Sequence, residues 1–220
     1  GARGEVDALS KLFTPDVAFA LRSIAAPELD ATVGAPPDKV ADIFAVPAGV
    51  DKRAADMIRR GETPPEHWRR YIRKLPLNGI EAIDYTAFLG LDGVEELHLN
   101  GAKIDDLSFV SNFPNLKLLD IRETRIHDFS ILYNMRNLKS LYLGRSFIKD
   151  LSPLSVLNEL QWLDLRSTNV SDLSPLCRLK NLKWLDLQST QVSELSGLRE
   201  LANLQALYLE RTAVAELLPL

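Results

Sequence analysis

Two tryptophans stand 22 residues apart in nearly identical sentences: LQWLDLRSTNVSDLSPLCRLKN, Leu160 to Asn181, and LKWLDLQSTQVSELSGLRELAN, Leu182 to Asn203. In each, Trp162 or Trp184 is added beside the leucines and replaces none of them. Other residues of similar chemistry recur in the same register: Asp120, Asp164 and Asp186; Arg122 and Arg166; Tyr142 and Tyr208. Tryptophan, tyrosine and arginine are the types enriched where proteins grip one another, because they join large apolar area to a polar tip. The chemistry on offer is non-covalent capture. His98 shares a column with Asp120, which invites an acid–base pair, but no serine or cysteine nucleophile sits beside them, and Cys177 falls elsewhere in the repeat. His67 and His127 are too isolated in sequence to suggest a metal site. No GxxxxGK[ST], GxGxxG or HExxH occurs. Neither cofactor, metal nor catalysis is expected in this chain.

The elements that must position these residues follow from the period. With position 1 at Val94, Leu116, Leu138, Leu160, Leu182 and Leu204, the apolar positions are 1, 4, 6, 11, 14, 17 and 20. In one unit these are Leu160, Leu163, Leu165, Val170, Leu173, Leu176 and Leu179. A weaker unit precedes them, with Ile72, Leu75, Leu77, Ala82, Tyr85, Phe88 and Leu91. Positions 4 and 6 alternate with polar residues, so a short strand turns its leucines to one side. DLSPL, at Asp150–Leu154 and Asp172–Leu176, is turn chemistry, with Asp and Ser bonding nearby amides and Pro presetting φ. Twenty-two residues leave room for a short 3₁₀ or extended segment there. One coil cannot bury its own leucines, but a stack of coils can. Position 9 carries Thr124, Ser146, Thr168, Thr190 and Thr212, expected to form a buried hydroxyl ladder from coil to coil.

The pattern LxxLxLxxTxIxDLSPLxxLxN resembles a leucine-rich repeat of the short 22-residue type, as in bacterial internalins and a leucine-rich phosphatase-regulatory subunit. The match runs from Ile72 to Leu220, with Thr or Ser where Asn often stands. It implies an α/β solenoid: a parallel concave sheet, a 3₁₀ or extended convex side, and a helical N-terminal cap. Positions 3, 5 and 7 then face the concave side. The expected protein-binding set is Trp162, Trp184, Tyr142, Tyr208, Arg122, Arg166, Asp120, Asp164, Asp186 and His98, with Phe147 at the strand-exit edge extending the aromatic patch. The plainer alternatives are that Lys139, Gln161 and Lys183 merely cover the indoles, and that the Asp and Arg columns form a solvated, self-paired ladder. The resemblance implies a protein-interaction module, the recognition part of a larger bacterial effector or surface protein. The other function considered is substrate recruitment for an enzyme whose catalytic domain lies beyond Leu220.

Residues 1–71 carry no repeat and are expected to form a helical capping region, with residues 72–220 as the repeats. Helix signals occur at TPDVAFALRSIA from Thr14, at Asp38–Phe44, from Asp51 to Gly61, and at TPPEHWRRYIRKL from Thr63. In the last, Trp68, Ile72 and Leu75 form a stripe suited to covering the first coil. Arg69, Arg70, Arg73 and Lys74 would share a solvated basic face of that helix, with phosphate or an anionic surface as the alternative ligand. Ala31–Pro37 is the expected loop. The chain starts at Gly1 and stops at Leu220, position 17 of its unit, so the natural protein is expected to continue, and self-association through an uncapped last coil is a further expectation. Net charge is -4, which gives the molecule no electrostatic bias toward nucleic acid or anionic membrane. No apolar run is long enough to span a bilayer. One cysteine and no visible signal peptide favour the cytoplasm or secretion into a host cell.

Overall fold

The computed structural model describes residues 48–215, and the helices expected at Thr14 and Asp38–Phe44, the loop Ala31–Pro37 and the stretch 216–220 lie outside them. The chain divides into two compact units, Gly1–Ala48 with Pro65–Trp68, and Gly49–Pro64 with Arg69–Leu220. Of the first, the described part includes Pro65–Trp68, where the Trp68 amide donates to the Pro65 carbonyl at 2.9 Å and the His67 and Trp68 rings meet edge to face. All that follows concerns the second unit.

Alternation in the sequence becomes seven short parallel strands: β1 Lys74–Pro76, β2 Glu96–His98, β3 Leu118–Asp120, β4 Ser140–Tyr142, β5 Trp162–Asp164, β6 Trp184–Asp186 and β7 Ala206–Tyr208. They pair in chain order, each residue opposite the one 22 further on. Leu75, Leu97, Leu119, Leu141, Leu163 and Leu185 therefore stack in one column, all fully buried. The core continues through positions 6, 11, 14, 17 and 20 to six 3₁₀ turns, of which Ser152–Val156 and Ser174–Arg178 carry the prolines near their starts.

Four local devices close each coil. At position 8 the chain leaves the strand in the left-handed region. Gly79 and Gly101 do this without a Cβ, whereas Glu123, Arg145, Ser167, Ser189 and Arg211 hold φ between 55° and 58° against the usual steric cost. At position 9 the buried hydroxyls of Thr124, Thr168 and Thr190 donate to carbonyls three residues back in their own coils, Ile121, Leu165 and Leu187, at 2.6–2.8 Å. The expected coil-to-coil ladder is therefore not at position 9. It is made at position 22 by asparagine amides, with Asn115, Asn137, Asn181 and Asn203 donating to carbonyls of Asp92, Pro114, Asn158 and Lys180.

Carboxylates supply the other two devices. At position 5, Asp120, Asp164 and Asp186 accept the backbone N–H two residues on, from Arg122, Arg166 and Gln188, at 2.9–3.2 Å. At position 13, Asp84, Asp106, Asp128, Asp150 and Asp172 accept the amide of Thr86 or of the serine that opens each 3₁₀ turn, at 2.8–2.9 Å. These bonds to the ionised form hold Asp84, Asp106 and Asp150 below the usual carboxylate range, chiefly through the neighbouring hydroxyl; at Asp128 the Ser130 amide is the main cause. Asp164 moves the other way: burial pushes its carboxyl up, the Arg166 amide and guanidinium pull it back, and Asp186 alongside adds to the rise.

The N-terminal end differs from expectation. Helix α1, Val50–Arg59, buries Ala54, Ala55 and Ile58 and packs on β1. Its Asp51 carboxylate accepts the amides of Arg73 and Lys74, and Arg59 donates to the Pro76 carbonyl. Two side chains thus satisfy edge groups of β1 that another strand would otherwise pair. Helix α2, Glu66–Arg69, is only four residues long, and Leu75 lies in β1, so Trp68, Ile72 and Leu75 share no helical stripe. Nor is there a basic helix face. Arg69 donates to the carbonyls of Pro64 and Leu89, Arg73 to those of Arg70 and Gly93, and Lys74 pairs with Glu96. Both arginines bond mainly to backbone carbonyls because α2 ends before them and the chain folds back along the first coils.

Three outcomes test this construction. Leu163→Ala or Leu185→Ala should lower unfolding free energy in urea by about 2–5 kcal/mol through the cavity left in the leucine column. Asp164→Ala, which strips a buried amide of its acceptor, should cost about 1–3 kcal/mol, while Asp164→Asn keeps that acceptor, discards a buried charge, and should stay within about 1 kcal/mol of the parent. The depressed carboxylates of the 3₁₀ turns contribute stability that is complete above their unfolded pKa, about 4, and is lost as pH falls through their folded values. Thermal midpoints should therefore drop on acidification below about pH 4, and less steeply in an Asp106→Asn, Asp128→Asn, Asp150→Asn triple variant. Asp164 works against the trend, since its folded form takes up a proton first.

Candidate protein-binding surface

Because positions 4 and 6 look inward, positions 3, 5 and 7 emerge on the opposite face of the sheet. Parallel register with no slip sets Trp162 directly beside Trp184 and Trp184 beside Ala206. Adjacent strands lie about 4.8 Å apart, so the two indoles rise from neighbouring rungs. Trp162 keeps 39% of its surface exposed and Tyr208 the same, while Trp184 is half-buried with its ring 5.3 Å from that of Tyr208. The Lys183 ammonium sits 5.8 Å from the centre of the Trp162 ring. That lysine borders the ring without covering it. Tyr142 is half-buried under the Arg122 guanidinium, 5.4 Å from its ring centre, and burial raises its phenol above the ordinary value, leaving it neutral at physiological pH.

The acidic column does not form the solvated ladder expected of it. Asp120, Asp164 and Asp186 are 4%, 2% and 4% exposed, because each folds back onto the amide of the residue leaving its strand. Asp120 also receives Nε and Nη2 of Arg122, at 2.9 and 2.6 Å, and Arg166 lies 3.3 Å from Asp164. These carboxylates offer a partner little surface; what they present is the orientation of the arginines above them. His98 sits beside Asp120 in register but lies 3.6 Å from Glu96, and Asp120 is taken by Arg122. Phe147 is 53% exposed and stacks on His127 of the preceding coil, ring centres 4.6 Å apart and nearly parallel, rather than on Tyr142.

Two features were not read from the sequence. Position 2 contributes cations, Lys139 and Lys183, to the strand-entry side of the face. At the strand-exit side, a groove of about 430 Å³ opens over Gly144, lined by Arg122, Arg145, Arg166 and Arg211. Gly144 is the only glycine at position 7, which was the available signal: a missing side chain in a column otherwise filled by large polar ones. A Cβ there would lie 3.0 Å from Cγ of Arg166 and 3.1 Å from Oδ1 of Asp164. No group of three or more His, Cys, Asp or Glu residues capable of holding a metal occurs among the described residues, and none of their helices is long and apolar enough to cross a membrane.

Known proteins place this architecture. A sequence profile for Leucine Rich repeats (2 copies) matches residues 114–156. Internalin F from Listeria monocytogenes aligns over 86% of this chain with 31% identity and a TM-score of 0.67, and the chain spans 56% of that structure's length. Internalin C2 of the same species aligns over 82% of this chain and 90% of its own, at 23% identity and a TM-score of 0.63. The leucine-rich repeat protein LIC12759 of Leptospira interrogans shares the fold at 21% identity and a TM-score of 0.57, covering 70% of this chain and 47% of its own. No curated protein sequence matches. Seven in-register parallel strands alternating with 3₁₀ turns, the profile match and these likenesses agree: the chain is a leucine-rich repeat protein that resembles the Listeria internalins.

Proposed function

We propose that this chain is a protein-interaction module that holds a protein partner on the outward face of its sheet, and that it serves as the recognition part of a larger bacterial effector or surface protein. One observation carries the reading. Trp162 and Trp184 lie in register on adjacent strands, on the face away from a leucine core that is complete without them. Apolar ring area left at a sheet surface costs solvation and contributes nothing to the core, so a partner that covers it gains roughly 2–3 kcal/mol per ring. Tyr208 packs against Trp184 and Arg122 is pinned by Asp120, so the anchors are held in place before binding, which lowers the ordering cost. Tyr142, Arg166 and His98 border them, and Phe147 with His127 adds a second exposed aromatic site. The likeness to internalins and the 56% span of internalin F support the setting in a larger protein. No catalytic role is assigned to the chain.

The test compares the parent with a Trp162→Ala, Trp184→Ala double variant. The variant should keep its thermal midpoint, since neither ring is needed by the core, and should hold a captured partner at least about 100-fold more weakly, consistent with the loss of two anchors. A variant that unfolds would place the rings in the core. A folded variant that binds as tightly as the parent would remove these tryptophans from the interface.

A further inference from the structure

The charge that reaches solvent on the tryptophan face differs from the charge in the sequence. In the coils that begin at Leu138, Leu160 and Leu182, the charged residues at positions 2, 3, 5, 7 and 8 are Lys139, Arg145, Arg166, Lys183, Asp164 and Asp186. Both carboxylates are buried, with an oxygen on a backbone amide. The cations are outside: the Arg145 and Arg166 side chains are 66% and 44% exposed, Lys139 is exposed, and Lys183 lies against Trp162. A chain of net charge -4 thus presents a locally cationic patch around its two tryptophans.

The groove over Gly144 gives that patch a shape. Its walls are Arg122, Arg145, Arg166 and Arg211, and its depth depends on the side chain that Gly144 lacks. Arg122 spends Nε and Nη2 on Asp120, which fixes its plane and leaves Nη1 for another acceptor. Arg145 is bridged at 2.9 Å by Glu123, a carboxylate of the chain itself standing at the groove rim. Arg211 has no ion pair among the described residues. Planar guanidinium forks in fixed orientations suit carboxylates, which they bind in bidentate fashion.

Resting on the protein-binding reading above, we propose that the partner presents an acidic segment to this face, with carboxylates seated in the groove over Gly144 and a neighbouring apolar side chain laid on Trp162 and Trp184. A protein segment fits better than a nucleic acid. A polyanion gains from many phosphate contacts, whereas here four surface cations sit above two buried carboxylates on a molecule that is acidic as a whole.

A random peptide library displayed on phage, panned on the full 220-residue chain at low ionic strength, tests this. Parallel panning uses Arg145→Glu, Arg166→Glu and Trp162→Ala, Trp184→Ala double variants, each first shown by circular dichroism to melt like the parent. Enriched peptides should carry net negative charge with at least one large apolar residue, lose about tenfold or more in affinity on the charge-reversed variant, and weaken as salt is raised. Neutral or basic peptides, or peptides that bind the charge-reversed variant equally well, overturn the acidic partner, and they leave the tryptophan face standing if the tryptophan variant still loses them. Peptides retained by both variants overturn both readings. Failure to enrich any sequence, or tighter binding of a thymidine oligonucleotide than of the best peptide, also defeats the proposal.

Discussion

In-register parallel pairing is the constraint on which the rest depends. Each strand is only three residues long, so one slip would turn Leu163 outward and Trp162 and Asp164 inward. Three residues of ladder hold register weakly. What holds it firmly is the fixed 22-residue length of each coil together with buried columns at seven positions, each filled by a residue that fits only against its counterparts above and below. Surface features inherit this regularity. Side chains as far apart in sequence as Arg122 and Arg166 lie along one file because nothing in the core permits them to do otherwise.

A second layer of order comes from the polar groups the coil must satisfy as it bends. Leaving the strand at position 8 with positive φ turns main-chain amides and carbonyls toward the interior. The position-5 carboxylate, the position-9 hydroxyl and the position-22 amide each meet one such group. The first of these links architecture to recognition. An aspartate that caps an amide is pulled out of solvent, and the arginine two residues on is left outside and partly oriented by it, most tightly at Asp120 and Arg122. One backbone requirement thereby hides negative charge and displays positive charge.

Much of this was legible in the sequence because it is periodic. The strands, the 3₁₀ turns, the leucine columns and the outward direction of Trp162 and Trp184 all follow from spacing, since a period of two within a period of 22 leaves no choice of face. The first coil was legible as well, but Trp68, Ile72 and Leu75 satisfied a helical spacing at the same time, and Thr63-Pro64 looked like a helix start. The chain resolves the conflict in favour of β1, because α1 already supplies Asp51 and Arg59 to its open edge. Polar partnerships were less legible. Thr168 and Asn181 are both hydrogen-bonding side chains at fixed positions, and only geometry shows that the first bonds within its coil and the second to the coil before it.

Charge was the least legible quantity, for a physical reason. A count over 220 residues gives -4 and suggests a molecule indifferent to anions. Association is governed by the charge that a partner meets within about one Debye length, roughly 8–10 Å. Across that distance the tryptophan face shows lysine and arginine, while its own carboxylates sit beneath them with amides as partners. The residual negative charge is displaced elsewhere, much of it to the aspartates that open the 3₁₀ turns, where Asp106, Asp128 and Asp150 recur at each coil. The molecule is therefore polarised across its thickness, anionic along the turns and cationic around the indoles. A field of that form would turn an approaching acidic segment toward the face that can hold it before any contact is made.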